Sequence, residues 1–167
     1  MTTQNDMFVV ATFYHFYDFP DFEEKRLPLL DFLKQRGIKG SLLIAHEGIN
    51  GTVAGRRDAV DSLVEYLTQE IIGSEFEYKE SYSEKDPFVR TKVRLKKELI
   101  SMGRPANPLN PGVHLNSQEW NELLSDPDTI LIDSRNSYET HLGKFKNAIV
   151  PEIPNFKHLP DFIDTHL

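Results

Sequence analysis

The hydrophobic positions of this chain change period several times, and the changes divide it into short strands and amphipathic helices. Phe8 to Tyr17 is rich in β-branched and aromatic residues (Phe8, Val9, Val10, Thr12, Phe13, Tyr14), which predicts a strand. Asp21 to Arg36 sets Phe22, Leu29, Leu30 and Leu33 near one helical face, and Gly37 suits a C-terminal cap. Pro28 conflicts with a regular helix, because an interior proline costs about 3 kcal/mol. Either the helix kinks or its regular part begins near Pro28, where a first-turn proline is tolerated. Ser41 to Ala45 and Thr52 to Ala54 are short apolar runs, and the turn-forming residues His46 to Gly51 between them predict a hairpin with a polar tip. From Arg57 to Ile72, the residues Leu63, Val64, Leu67 and Ile71 follow Val60 at spacings of 3, 4, 7 and 11, an amphipathic helix. Phe76 to Tyr82 alternates aromatic and acidic residues, a half-exposed strand. The order strand, helix, strand, strand, helix, strand predicts an α+β ferredoxin-like split βαβ antiparallel sandwich, with two helices on one face of the sheet.

Phe88 to Leu99 is a further strand candidate. Residues 101–111 hold Gly103, Pro105, Asn107, Pro108, Asn110 and Pro111, too many breakers for helix or strand, and are expected to link a domain at 7–100 to another at 112–167. In the latter, Gly112 to Asn116 suggests a short strand, and Asn116 with Glu119 has capping-box spacing before a helix carrying Trp120, Leu123 and Leu124. Thr129 to Ile132 is a continuous apolar run, the pattern of a strand buried on both faces of a parallel sheet. Asn155 to Leu167 has helical spacing interrupted by Pro160. Lone His15 and Trp120 are expected to be core or half-buried side chains.

Composition narrows the function. At 167 residues with 39% apolar content, the chain can bury a core as one average domain or two small ones. No apolar run approaches the roughly 18 residues of a membrane span, and Met1 to Met7 lacks the basic-then-apolar pattern of a signal peptide, so a cytoplasmic protein with no membrane partner is expected. The absence of cysteine excludes disulfides, thiolate-bound zinc and a nucleophilic thiol within these residues; no metal site is expected. A net charge of -7 disfavours wrapping nucleic acid over the whole surface and leaves room for a local basic patch.

Three constellations carry candidate chemistry. His46, Glu47, Asn50 and glycines 48, 51 and 55 crowd the hairpin, where glycine lets backbone approach a ligand; a tight turn that merely needs positive φ explains them equally well. Arg90, Lys92, Arg94 and Lys96 alternate with Val93 and Leu95, so a strand would carry four cations along one side at about 6 to 7 Å, near the spacing of single-stranded phosphates. An edge strand kept soluble by cations, or pairing with the acidic run Glu75, Glu77 and Glu80, is the competing explanation. Asp133, Arg135 and Glu139 follow the Thr129 to Ile132 run, where open α/β sheets place functional groups. With no nucleophile beside them, a structural ion pair is favoured.

The segment from Asp133 to Ala148 resembles the first signature of rhodanese-like domains, Asp-x-Arg-x-x-x-Glu-(Tyr or Phe)-x-x-Gly-His-Ile followed by Gly-Ala. Asp133, Arg135, Glu139, Gly143 and Ala148 match; Tyr138 precedes Glu139, and Lys144-Phe145 replaces His-Ile. With Glu47 to Thr52, Lys92-Val93-Arg94 followed by Glu98, and Asn136-x-Tyr138-Glu139, the chain is similar from about Phe8 onward to the bacterial rhodanese-domain tRNA uridine hydroxylases. That resemblance implies oxygen-dependent 5-hydroxylation of the wobble uridine, with tRNA as partner, molecular oxygen as co-substrate and no identifiable cofactor. No protein partner is inferred. It implies a cysteine in a later rhodanese loop, expected beyond Leu167, so 112–167 is expected to be the first half of a rhodanese-like α/β domain and the chain alone inactive. Arg90, Lys92, Arg94, Lys96, Glu47 and Asn50 are then the expected RNA-binding residues, and Asp133, Arg135 and Glu139 the brace of the active loop. A rhodanese-type sulfurtransferase and a non-catalytic RNA-binding module are the alternatives.

Overall fold

A computed structural model describes residues 7–102, 104 and 107–167. They fall into two compact units that divide between Leu99 and Ile100. The first contains β1 (Phe8–Phe16), α1 (Phe22–Gln35), β2 (Lys39–Ala45), β3 (Gly48–Gly55), α2 (Arg57–Tyr66), β4 (Tyr78–Ser83) and β5 (Thr91–Leu95). Helix α2 continues through a wider π-helical turn, Leu67–Ile72, closed by Gly73 at φ 79°.

The sheet order is β4-β1-β3-β2-β5. The first four strands are antiparallel, in the arrangement expected of a ferredoxin-like fold, while β5 adds to β2 in parallel. The sheet is therefore mixed, a correction to the antiparallel expectation. Strand β5 is also shorter than the expected Phe88 to Leu99, and it lies at the opposite edge from β4. The acidic run beside β4 thus cannot pair with the basic stripe.

One face of the sheet is apolar and covered by α1 and α2. Val9, Ala11, Phe13, Leu42, Ile44, Ile49, Val53 and Val93 point into a single core with Leu29, Leu33, Leu63 and Leu67. Each large side chain fully buried there contributes about 1.5–3 kcal/mol before conformational entropy is counted. Alternation then sends Thr12, Tyr14, Ser41, Leu43, Asn50, Thr52, Lys92 and Arg94 to the other face, which no helix of this unit covers.

One alternative is excluded here and one expectation is corrected. Helix α1 begins at Phe22 and runs through Pro28 rather than starting at it, because Leu29 and Leu33 are buried on its core face. The hairpin tip is His46-Glu47 alone, and Asn50-Gly51 lies within β3. Gly48, at φ 139°, takes the turn's conformational burden, and a Cβ there would collide with the His15 carbonyl oxygen on β1.

The second unit holds α3 (Ser117–Leu124), α4 (Ser137–Leu142), a 3-10 turn at Phe156–His158 and α5 (Leu159–His166). The Asn116/Glu119 capping box forms, with Asn116 Oδ1 accepting from the Gln118 and Glu119 N–H groups at 2.9 and 3.0 Å. Gly112 to Asn116 is not a strand. Thr129 to Ile132 contributes only one parallel bridge, Ile132 with Ile149, and Ile130 is 57% exposed, so this run is not buried on both faces. Pro160 starts α5 rather than interrupting it, since its missing N–H falls in the first turn. Of the expected linker, Gly103, Pro105 and Ala106 lie outside the described residues, as do Met1 to Asp6.

Candidate nucleic-acid interface

The sheet face opposite α1 and α2 is polarised. At the β5 edge, Lys92 and Arg94 stand opposite Ser41 and Leu43 on this face, with Arg90 and Lys96 just beyond the strand ends. Val93, between them, is buried against the core, so the alternation separates cations from apolar side chains. None of these four cations has an ion-pair partner among the described residues. Arg26 of α1 holds the strand from the other side, donating from Nε to the Val93 carbonyl at 3.1 Å.

Beside this edge lies a cleft of about 560 Å³, lined by Gly40, Ser41, Leu43, Asn50, Gly51, Thr52 and, from the loop before β5, Phe88, Val89 and Arg90, with Lys92. The Asn50 side-chain amide has no hydrogen-bond partner among the described residues. At the other edge, a recess of about 690 Å³ is formed by Thr12, Phe13, Tyr14, Phe76, Glu77, Tyr78 and Lys79. Glu75 lines an adjoining recess with His15. Burial first and the Glu47 carboxylate second push the Tyr14 phenol well above its ordinary pKa, so it stays a neutral donor.

Glu47 is already engaged. Its carboxylate accepts the Leu99 N–H, while the backbone carbonyls of His46 and Glu47 accept from Phe19 and Tyr17 at 2.8 and 3.1 Å. It fixes the hairpin tip, and the structure does not place it beside Arg90 and Lys92 in the cleft.

In the second unit, Asp133 is buried and receives Arg135 Nε at 2.9 Å and Nη2 at 2.7 Å, a two-pronged pair. The same Nη2 donates to the Gly143 carbonyl at 2.8 Å, closing the turn around α4. The Arg135 guanidinium holds the Asp133 carboxyl below the usual carboxylate range. Glu139 Oε2 accepts the Asn136 N–H at 3.2 Å and caps α4. These three residues form local supports; among the described residues, no group of His, Asp and Glu is arranged to hold a metal ion.

Residues 8–99 match the family described as the UPF0176 acylphosphatase like domain. The chain belongs to the UPF0176 family. A curated relative from Picosynechococcus sp., named tRNA uridine(34) hydroxylase, is 43% identical over 162 residues, covering 96% of this UPF0176 chain and 54% of that protein. The chain spans about half the length of that relative. Acylphosphatases from Coxiella burnetii and Bacillus subtilis are each 15% identical, at TM-scores of 0.38 and 0.36; they cover 56% and 53% of this chain and 100% and 97% of their own. Likenesses this slight carry no weight for function.

On this UPF0176 sheet, the sequence reading missed Ser41, Thr52, Tyr14 and Phe88. The alternation of β2 and β3 assigns Ser41 and Thr52 to a face, but only the strand order puts that face next to the cations. No helix of the described residues is long and apolar enough to cross a membrane.

Proposed function

We propose that this chain is part of a tRNA-modifying oxidoreductase that hydroxylates carbon 5 of the wobble uridine with molecular oxygen, and that its first unit holds the tRNA. The observation that carries this is the 43% identity, over 96% of the chain, to a protein named tRNA uridine(34) hydroxylase. The geometry agrees with it: among the described residues Arg90, Lys92, Arg94 and Lys96 have no carboxylate partners, and a phosphate chain supplies the missing charge. Asn50 lies on the same face, and Glu47 braces the hairpin from which β3 begins.

The second unit is the first half of a rhodanese-like domain, in which Asp133, Arg135 and Glu139 brace a loop bearing the reactive cysteine of the whole protein. The parallel bridge between Ile132 and Ile149 and the exposed apolar side chains Ile130, Leu142 and Phe145 support this reading, since a parallel sheet needs both faces covered. With no cysteine among its 167 residues, the chain alone forms no 5-hydroxyuridine.

The test is mass spectrometry of tRNA nucleosides from a hydroxylase-deficient bacterial strain carrying either this chain or the full-length Picosynechococcus relative. The relative is expected to restore 5-hydroxyuridine and this chain is not. Restoration by neither would remove the hydroxylation reading; restoration by both would remove the claim of inactivity. For the RNA surface, reversing Arg90, Lys92 and Arg94 to Glu is expected to weaken binding of an anticodon stem-loop RNA and to lower its salt slope by about 2, at about 0.7 per lost phosphate contact. Unchanged affinity and slope would make the stripe a solubility device.

A further inference from the structure

We infer that the cleft between β3, β2 and the loop before β5 is a subsite for one phosphate-bearing nucleotide of single-stranded RNA, with Phe88 as its stacking surface and Arg90 and Lys92 as its phosphate contacts. This rests on the RNA-holding reading of the same face and adds where a nucleotide sits.

Size does not choose this cleft, because the recess at the β4 edge is larger, about 690 Å³ against about 560 Å³. Both lie within the range of about 300–1,000 Å³ typical of ligand sites. Charge chooses it. The recesses at the β4 edge carry Glu75 and Glu77, which repel phosphate, with Lys79 as their one cation among the described residues, whereas the described lining of the β5 cleft has two cations and no carboxylate. A third cation on the same face, Lys39, is already paired with Asp86 at 2.7 Å. The one acid of the loop before β5 that forms an ion pair thus neutralises Lys39 and leaves Arg90 and Lys92 available.

Asp86 has a second task. Its carboxylate accepts the Phe88 N–H at 3.1 Å, so the ion pair to β2 also fixes the backbone that carries the aromatic ring. Farther along, the Arg90 carbonyl accepts the Gly40 N–H at 2.9 Å and Thr91 Oγ1 donates to the Ile38 carbonyl at 2.7 Å. The loop is therefore tied to β2 on both sides of Phe88, and the ring is half-buried at the cleft wall instead of free in solvent. Preorganisation of this kind reduces the ordering cost of binding.

The remaining lining supplies what a base requires. An aromatic wall stacks with any base, and a side-chain amide offers both a donor and an acceptor to a base edge. The Asn50 amide and the Ser41 hydroxyl have no partner among the described residues, although they are half-buried. Gly51, between Asn50 and Thr52, belongs to the core face of β3, where a Cβ would meet the Leu42 side chain and the Ser41 carbonyl oxygen, so the strand tolerates no side chain there.

The experiment uses the whole 167-residue chain, labelled with nitrogen-15 and titrated with uridine 5′-monophosphate and, separately, inorganic phosphate. Stem-loop RNA affinities of wild type, Phe88→Ala, Phe88→Trp and Lys92→Gln are measured in parallel. The mononucleotide is expected to shift the amides of Ser41, Asn50, Thr52 and Val89, with phosphate alone moving only those nearest Arg90 and Lys92. Phe88→Ala should lower RNA affinity about tenfold while Phe88→Trp retains it, and Lys92→Gln should lower the salt slope by about 0.7. Mononucleotide shifts confined to other surfaces would overturn the subsite. If Phe88→Ala binds RNA normally while reversal of Arg94 and Lys96 weakens it, the subsite falls and the RNA surface stands. An RNA that does not bind the chain at all sinks both.

Discussion

The two units are stabilised by different means. In the first, a continuous apolar layer beneath the sheet meets two helices, and the side chains that matter most, Leu42, Ile44, Ile49 and Leu33 among them, are fully withdrawn from water. In the second, the buried apolar residues among those described are few, Ala148 and Leu159 at 6% and 9% exposure with Pro151 and Pro160, while Val113 is 89% and Leu142 91% exposed. What fixes its chain is polar: two capping boxes and the Asp133–Arg135 pair, which are local, and the Arg104–Asp164 pair, which joins residues 60 apart in sequence. Burial on one face of a sheet leaves the other face free for a ligand. Caps and ion pairs shape a loop without covering the apolar side chains around it.

The largest expected effect tests that contrast directly. Leu42→Ala should destabilise the first unit by ~2–5 kcal/mol, because Leu42 lies in an inner strand with no exposure and its removal leaves a cavity under two helices. Leu142→Ala, at a side chain already in water, should cost under about 0.5 kcal/mol. Urea unfolding followed by NMR signals assigned to each unit measures both. Equal losses would mean that Leu142 packs in solution and that the units are built alike.

The same contrast governs what was legible in the sequence. Strand β1, helix α2 and the Asn116/Glu119 box announce themselves because period and capping are properties of a few neighbouring residues. The Asn50-Gly51 pair has turn chemistry, yet the chain turns at His46-Glu47, because Gly48 must pass against β1, a contact made by residues far away in sequence. Strand β5 was legible as a strand with cations on one side. Its parallel partner was not, and without it neither the separation from Glu75 and Glu77 nor the cleft beside Ser41 and Asn50 can be read. The continuous run Thr129 to Ile132 looks buried on both sides by composition, but burial also needs neighbouring strands, and the described residues supply one bridge.

A smaller effect is expected from the polar devices. Asn116→Ala removes the acceptor of two helix N–H groups and should cost about 1 kcal/mol, within a range of about 0.5–2. Hydrogen exchange should accelerate in α3 alone, with the first unit's amides unchanged. If exchange instead accelerates across β1 to β3, the two units unfold together and their separate stabilisation is wrong. Ser117→Ala, one residue on and outside the cap bond, provides the control.

The smallest effect concerns acid. His15 is held by aromatic rings, Tyr17 at 5.5 Å and Phe76 at 6.1 Å between centroids, and burial pushes its imidazole below the ordinary value of 6.5. Glu75 and Glu77 line the same recess and would favour the imidazolium, but the loss of water outweighs them. Because the folded state resists the proton, the unfolded state binds it first as pH falls. The stabilisation is therefore complete above 6.5 and is lost as pH drops through the lower folded value. Glu80 behaves alike at more acid pH: the hydrogen bond from Arg57, 2.7 Å from Nη2 to Oε2, holds its carboxyl below the ordinary 4.5, so its contribution persists above that value and is lost beneath it. The first unit's urea midpoint should thus fall in two steps on acidification, and His15→Gln should abolish the upper step while sparing the lower. The second unit, where the Arg135 hydrogen bond holds the Asp133 carboxyl below its ordinary value, should show a step of the lower, carboxylate kind. A single acid transition in the wild type, unaltered by His15→Gln, would show that the aromatic recess does not discriminate against the charged imidazole and that the two units respond to acid in the same way.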